Sequence, residues 1–235
     1  MTAPAEAVIA LPYPEVRTSP KQAEVVTVMT GWELALNSRA DLRLSRTVAV
    51  VGPSGSGKST LALAIARRLD AALLPADDFL IPEPERTATG LLAKYDLAAL
   101  DAALKRLQAG RPAIYVPFDQ ATRRRVGRKV VEPRESGSVV VEGIVALYAA
   151  RVLATSSLAL YVDAPREVRE ARQLARLDLE GWYRDQPRSA VEARIRAKSA
   201  AEDAVVSRQL SDCQYVVDTS ANRVSVLRML ATTAA

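Results

Sequence analysis

Apolar residues along this chain fall into two patterns, short unbroken runs and positions recurring every three or four residues. The runs RTVAVVG (46–52), AALLPADDF (71–79), GSVVVEGIVAL (137–147), LALYVDAP (158–165) and YVVDTS (215–220) read as strands buried on both faces. AIYVPFD (113–119) reads as extended. Leu61, Ile65 and Leu69 mark one face of a helix behind the first strand. Leu97, Leu100, Leu104 and Leu107 mark another, which Gly110 closes. Pro165 suits a first helical position, so a helix is expected after it. Ser189 and Glu192 read as a capping box opening a further helix, and RVSVLRMLA (223–231) as a closing one. Strands alternating with helices predict an α/β fold on a parallel sheet. Ahead of the first strand, Pro4, Pro12 and Pro14 predict an extended arm, and residues 20–38 a helix with Gly31 as its weak point.

Composition narrows the chemistry. A chain of 235 residues, 49% hydrophobic, suits one compact domain with a full-sized core. No apolar run approaches the roughly 20 residues of a membrane helix, and the N-terminus lacks the basic start and apolar block of a signal peptide. A soluble cytoplasmic protein is expected. One cysteine, Cys213, excludes an internal disulfide. The absence of histidine excludes imidazole acid–base chemistry and imidazole metal ligation. A net charge of +5 and a pI near 9.5 fit small anionic ligands as well as nucleic acid. Aromatics at 5% speak against a stacking platform for single strands.

The chemistry begins at VVGPSGSGKST (50–60). Gly52 to Ser59 fits G-x-x-x-x-G-K-[ST] between a strand and a helix, the context a phosphate-binding loop requires. Gly52, Ser54, Gly55, Ser56 and Gly57 are expected to turn backbone N–H groups onto phosphates, aided by the helix N-terminus. Lys58 is expected to reach the β- and γ-phosphates, Ser59 to hold Mg²⁺, and Thr60 to support them. The loop implies a nucleoside triphosphate without naming an acceptor.

Three clusters address the acceptor. PADDFL places Asp77 and Asp78 at the end of the second strand, where a carboxylate can take the proton of an attacking hydroxyl; capping of the next element is the plainer reading of each. VVVEG ends a strand on Glu142, placed to hold the metal or its water, or else facing solvent. Arg169, Arg172 and Arg176 share one helix face at i, i+3 and i+7. They can neutralise charge on a transferring phosphoryl group, or pair with Glu167, Glu170 and Asp178 as a solvated face.

In order and spacing, GPSGSGKST, ADDF, YD, VPFD, VEGI and VDxPxxVRxxR, spread over roughly residues 46–220, resemble the uridine kinase and phosphoribulokinase-like group of P-loop kinases. The resemblance implies the P-loop NTPase fold, with a five-stranded parallel sheet, helices on both faces and a helical lid at about 166–200. Residues 46–235 would form that kinase domain, and residues 1–45 an N-terminal arm and helix that match nothing. It implies ATP and Mg²⁺ as cofactors, with Asp77 as catalytic base, Asp96 in KYDLAAL as a holder of acceptor hydroxyls, and Arg169 and Arg172 as lid residues.

The chain departs from uridine-specific members. Where they carry Y-D-F-x-x-H, FDQATR puts Phe118, Asp119, Gln120 and Arg123. The tyrosine after D-x-F is replaced by Leu80, as in the pantothenate-kinase pattern. A uridine kinase-like transfer to a small acceptor's hydroxyl is therefore expected, with substrate contacts from Asp77, Asp96, Phe118 and Arg123. The alternative is an anionic acceptor such as pantothenate or a sugar acid or phosphate, bound by Arg123. A transporter ATPase would need an LSGGQ-like signature and a strand ending in Asp-Glu, which the chain lacks. A silent nucleotide-binding regulator and a nucleic-acid binder using RRRVGRK (123–129) complete the rivals. The expected partners are ATP and the small acceptor, without membrane or nucleic acid; self-association is left open.

Overall fold

A computed structural model describes residues 47–180, 183, 186–220 and 225–229. The expected arm and the helix over 20–38 lie outside the described residues. Six strands form one sheet in the order β10-β9-β8-β1-β7-β2. They are β1 (Thr47–Val51), β2 (Ala72–Pro75), β7 (Val139–Glu142), β8 (Leu158–Asp163), β9 (Tyr215–Asp218) and β10 (Ser225–Met229). The five from β2 to β9 are parallel, and β10 adds antiparallel to β9. The expected five-stranded parallel sheet is therefore present, with one strand more.

The two-sided burial of the sheet explains its unbroken apolar runs. All five residues of β1 are buried. Val48 and Val50 face a core with Leu61, Ala62 and Ile65 of helix α1 (Lys58–Arg68). Ala49 and Val51 face the opposite core with Leu100, Leu104 and Leu107 of α2 (Leu97–Gln108). Alternate β1 side chains thus bind helices on opposite faces of the sheet. A short helix α3 (Ala150–Thr155) leads into β8. Helices α4 (Arg166–Glu180) and α5 (Arg188–Val206) follow it and pack together. Between α2 and β7, β3 (Ala113–Tyr115) pairs with β6 (Lys129–Val131). Nested inside, β4 (Phe118–Asp119) pairs with β5 (Arg124–Arg125).

Several expectations are corrected. The second strand stops at Pro75 and turns through a single 3₁₀ turn, Ala76–Phe79. The run 137–147 is a strand only to Glu142. Gly143, at φ 154°, then bends away, and Ala146–Tyr148 form another 3₁₀ turn. A Cβ at Gly143 would meet that of Ala76 at 2.6 Å, so this crossing of two strand ends requires glycine. The Ser189–Glu192 capping box does not form. Helix α5 begins at Arg188 behind Pro187, which leaves Ser189 inside the first turn. Glu192 instead meets Arg188 and Arg196, both at 3.5 Å. The closing helix expected over 223–231 is a strand at its described positions. The open edge of β9 supplies ladder partners to Ser225–Met229, and that pairing outweighs the helical spacing.

Candidate functional site

The carboxyl ends of β1, β2, β7 and β8 lie along one sheet edge, and the residues following each of them build the site. After β1, residues 52–57 form the glycine-rich loop expected to bind phosphate. Gly55 and Gly57 take φ 80° and 87°, a region that favours glycine. The backbone carbonyl of Arg169 presses where a Cβ of Gly55 would be. Gly57 caps α1 without a side-chain hydrogen bond, so the helix presents its first N–H groups to any anion in front of it. Ser56 is fully buried and its Oγ has no partner among the described residues. Lys58, 8% exposed, opens the helix. Thr60 is exposed one turn in. Positive-φ glycines, an uncapped helix start, a buried lysine and an orphaned hydroxyl together fit a polyphosphate.

Glu142, at the end of β7, accepts a hydrogen bond from Ser59 Oγ at 3.1 Å. The expected metal pair is thus brought together. Burial pushes the Glu142 carboxyl up from its ordinary value, and the nearby charges of Asp77 and Asp78 push the same way. Lys58 and Ser59 pull it down. Two hard oxygens beside a phosphate cradle fit Mg²⁺, which takes one or two protein oxygens and completes its shell with water and phosphate. Among the described residues no group of three or more acidic or cysteine side chains could hold a metal alone.

The two aspartates after β2 have separate surroundings. Asp77 Oδ1 accepts from the Tyr95 hydroxyl at 3.0 Å. Burial, then the Asp77 charge, raises Tyr95 well above its usual pKa, so it remains a donor. Its position is set by backbone pairing: Leu80 bridges Tyr95, Ile81 N donates to Lys94 O at 2.8 Å and Asp96 N to Phe79 O at 2.9 Å. Asp78 Oδ2 instead meets Lys129 Nζ at 2.6 Å and the Tyr115 hydroxyl at 2.8 Å. The Tyr115 ring stacks on Phe79 at 4.6 Å. Asp78 thus fastens the β3–β6 ribbon to the turn.

Other expected contacts are placed differently. Asp96 caps α2, its Oδ1 accepting from Ala99 N at 3.0 Å, and its Oδ2 lies 3.3 Å from Arg125. Arg123 stands at the exposed tip of the β4–β5 hairpin, with φ 58°. Its guanidinium lies 5.6 Å above the ring of buried Phe118. The guanidinium that reaches inward is that of Arg125, bound also to the Leu80 carbonyl at 3.1 Å. The run RRRVGRK contains Arg125 and Lys129 but does not say which members turn in; strand alternation across an uncertain hairpin register decides it.

The loop's outer side is held by the helix pair. Arg172 donates to Gly55 O at 3.3 Å and Thr219 Oγ1 at 3.0 Å, and burial lowers its pKa. Thr219, which follows β9, donates to Ser56 O at 2.6 Å. Arg169, 4% exposed, binds Ala164 O at 3.0 Å and Asp203 at 2.9 Å. Ser54 was expected to bind phosphate. Its N–H and hydroxyl instead donate to Glu202 at 3.1 and 3.0 Å, and its carbonyl accepts from Gln173 at 3.3 Å. Tyr95, Arg125, Thr219 and Glu202 were missed. Tyr95 stands in the YD element, Arg125 in RRRVGRK and Thr219 in YVVDTS, and Glu202 is an acid on the stripe Val191, Ile195, Ser199, Glu202, Val206 that α5 buries.

Comparison with known proteins bears on the family and the fold. The family model described as Phosphoribulokinase / Uridine kinase family matches residues 92–225, more than half of the chain. The uridine kinase of Saccharomyces cerevisiae is 33% identical over 141 residues. That match takes in 55% of this chain but only 28% of the yeast protein. Two crystal or solved structures share the fold. A kinase assigned to a fructose transport system in Silicibacter sp. TM1040 superposes with a TM-score of 0.56 at 20% identity, over 79% of this chain and 94% of that one. The YGR205w protein superposes with 0.54 at 11% identity, over 90% and 98%. Among the described residues no helix is long and apolar enough to cross a membrane.

Proposed function

Because the chain belongs to the phosphoribulokinase/uridine kinase family, we propose that it transfers the γ-phosphoryl group of ATP to a hydroxyl of a small, nucleoside-like acceptor. The observation that carries this reading is the pairing of two differently held acids at adjacent strand ends. Glu142 sits with Ser59, suited to a metal. Asp77 is oriented by the neutral Tyr95 hydroxyl, with the rest of its carboxylate available to an acceptor. Asp77 takes the acceptor's proton while that oxygen forms its bond to phosphorus and the bond to the ADP oxygen breaks. Lys58 and the α1 N-terminus offset the charge on the phosphate oxygens. Ser59 and Glu142 would hold Mg²⁺, which supplies further charge neutralisation when bound. Asp96, which already caps α2, and Phe118 border the acceptor side.

A second reading, an anionic acceptor such as pantothenate or a sugar acid or phosphate, draws on Arg125 and Lys129. Both reach the Asp77–Asp78 turn from the ribbon, and a guanidinium suits a carboxylate or phosphate. ATP consumption measured against a panel of nucleosides, vitamins and sugar acids tests both. Turnover with a nucleoside supports the first reading, and turnover only with acids supports the second. No turnover with any alcohol, despite ATP binding, refutes both and leaves a nucleotide-binding regulator.

A further inference from the structure

We infer that Glu202 is a positioning residue of the phosphate loop: its buried carboxylate on α5 fixes Ser54 from outside and so shapes the cradle in advance of the nucleotide. The inference rests on reading residues 52–59 as a nucleotide site and adds a residue that the reading does not contain.

Glu202 is 1% exposed. A carboxylate withdrawn from water must be met by donors or it is strongly unfavourable. Here the donors are the Ser54 N–H and hydroxyl, on separate carboxylate oxygens, and the half-exposed Lys198 ammonium at 3.5 Å. Packing alone does not call for an acid, since the neighbouring positions of the same stripe are Val191, Ile195, Ser199 and Val206. An apolar side chain would fill the place but could not accept from the loop.

The contact is also completed on its other side. Gln173 of α4 donates to the Ser54 carbonyl, so the peptides before and after Ser54 are both fixed. The next residue, Asp203, binds Arg166 at 2.7 Å and Arg169 at 2.9 Å, which joins α5 to α4. Two consecutive acids therefore tie the loop to one helix and that helix to its neighbour. A loop held this way does not have to be ordered when phosphate arrives, and affinity gains by the cost avoided. Ser54 itself has no hydrogen-bond donor left over for an anionic ligand.

The test is the affinity of the full chain for ADP by titration calorimetry, with thermal melting of the same samples. Glu202→Leu keeps volume and removes the acceptors; it is expected to weaken ADP by at least about tenfold, the loss of two hydrogen bonds to a charged group. Glu202→Gln can accept from the Ser54 N–H and donate to its hydroxyl, so it is expected to stay within about threefold of wild type. Ser54→Ala, which leaves the backbone N–H donor to Glu202 in place, is expected to weaken ADP about threefold. Wild-type affinity in Glu202→Leu, equal losses in the Leu and Gln variants, or no change in Ser54→Ala each overturn the inference. If the wild type itself binds no ADP, the nucleotide reading fails first; if it binds and Lys58→Ala does not, that reading stands and the Glu202 variants decide alone.

Discussion

Asp77 and Asp78 are adjacent, chemically identical and predicted to fail in opposite ways. Asparagine at each position keeps the shape and removes the charge. Asp78 is part of a structural joint, 16% exposed against a lysine 26% exposed at 2.6 Å. Its replacement turns an ion pair into a charge–dipole contact while the Tyr115 bond persists. A hydrogen bond between charged groups contributes about 1.5–3 kcal/mol and a neutral one about 1, so the expected loss of stability is about 0.5–2 kcal/mol. For a domain of this size that lowers Tm by about 1–8 °C. Asp77→Asn also keeps an acceptor for Tyr95, and it removes a negative charge that crowds buried Glu142. Its Tm is expected to stay within about 2 °C of wild type, while turnover falls by about 10²–10⁴-fold for loss of a general base. The assay is ADP release with a responsive acceptor, run at equal ADP-binding capacity, beside thermal denaturation. A larger loss of turnover in Asp78→Asn than in Asp77→Asn would refute the separation of roles.

Three further outcomes follow from the same geometry. Lys58→Ala is expected to lower turnover at least about 10³-fold, because no other cation opens α1; near-normal activity would reject the phosphate site. Arg172→Ala is expected to raise the KM for ATP as well as lower kcat, since Arg172 holds the Gly55 and Thr219 carbonyls in the absence of nucleotide; a pure kcat effect would show instead that its contacts form only in the transition state. Glu142 has a folded pKa raised by burial, so its contribution to stability is fully present below its ordinary 4.5 and is lost as pH rises through the folded value. Without nucleotide, Glu142→Gln should therefore melt above wild type at about pH 7–8 and lose that margin near pH 4; equal melting at both pH values would mean that Glu142 is not penalised by its burial.

The parallel sheet was legible because both its faces are covered. Burial of all of β1 and β7 forces unbroken apolar runs, and such runs are visible without any partner in view. The phosphate loop was legible because its backbone conformations demand glycine at fixed spacing. Ser59 and Glu142 were legible for the same reason, each standing immediately after one of those two signals. Elements whose form depends on a partner were not. β10 has a pattern that also suits a helix, and the edge of β9 decides it. Ser189 and Glu192 have the spacing of a cap, and the start set by Pro187 decides against it. Arg123 falls in the turn, at φ 58°, and Arg125 in the two-residue strand after it, a division that a run of arginines does not disclose. Asp96 was singled out for an acceptor and is also the N-cap of α2, a double use that no single residue type discloses.

The placement of the arginines bears on how the helix pair can move. Arg169, Arg172 and Gln173 occupy the first half of α4, and Glu202 and Asp203 the last turns of α5. All five bind either the phosphate loop or one another across the base of the pair. Swinging this base away would break the hydrogen bonds that give Ser54 and Gly55 their positions, and the cradle would open with it. Displacement of the whole pair would therefore cost the loop these contacts. Toward the distal ends of α4 and α5, Arg188 meets Asp178 at 2.9 Å on an exposed surface, and such a pair contributes little. Arg176 lies one turn nearer that end than Arg172. Of the three arginines on the α4 face, Arg169 and Arg172 are the two held at the base of the pair, to Asp203 and to the loop.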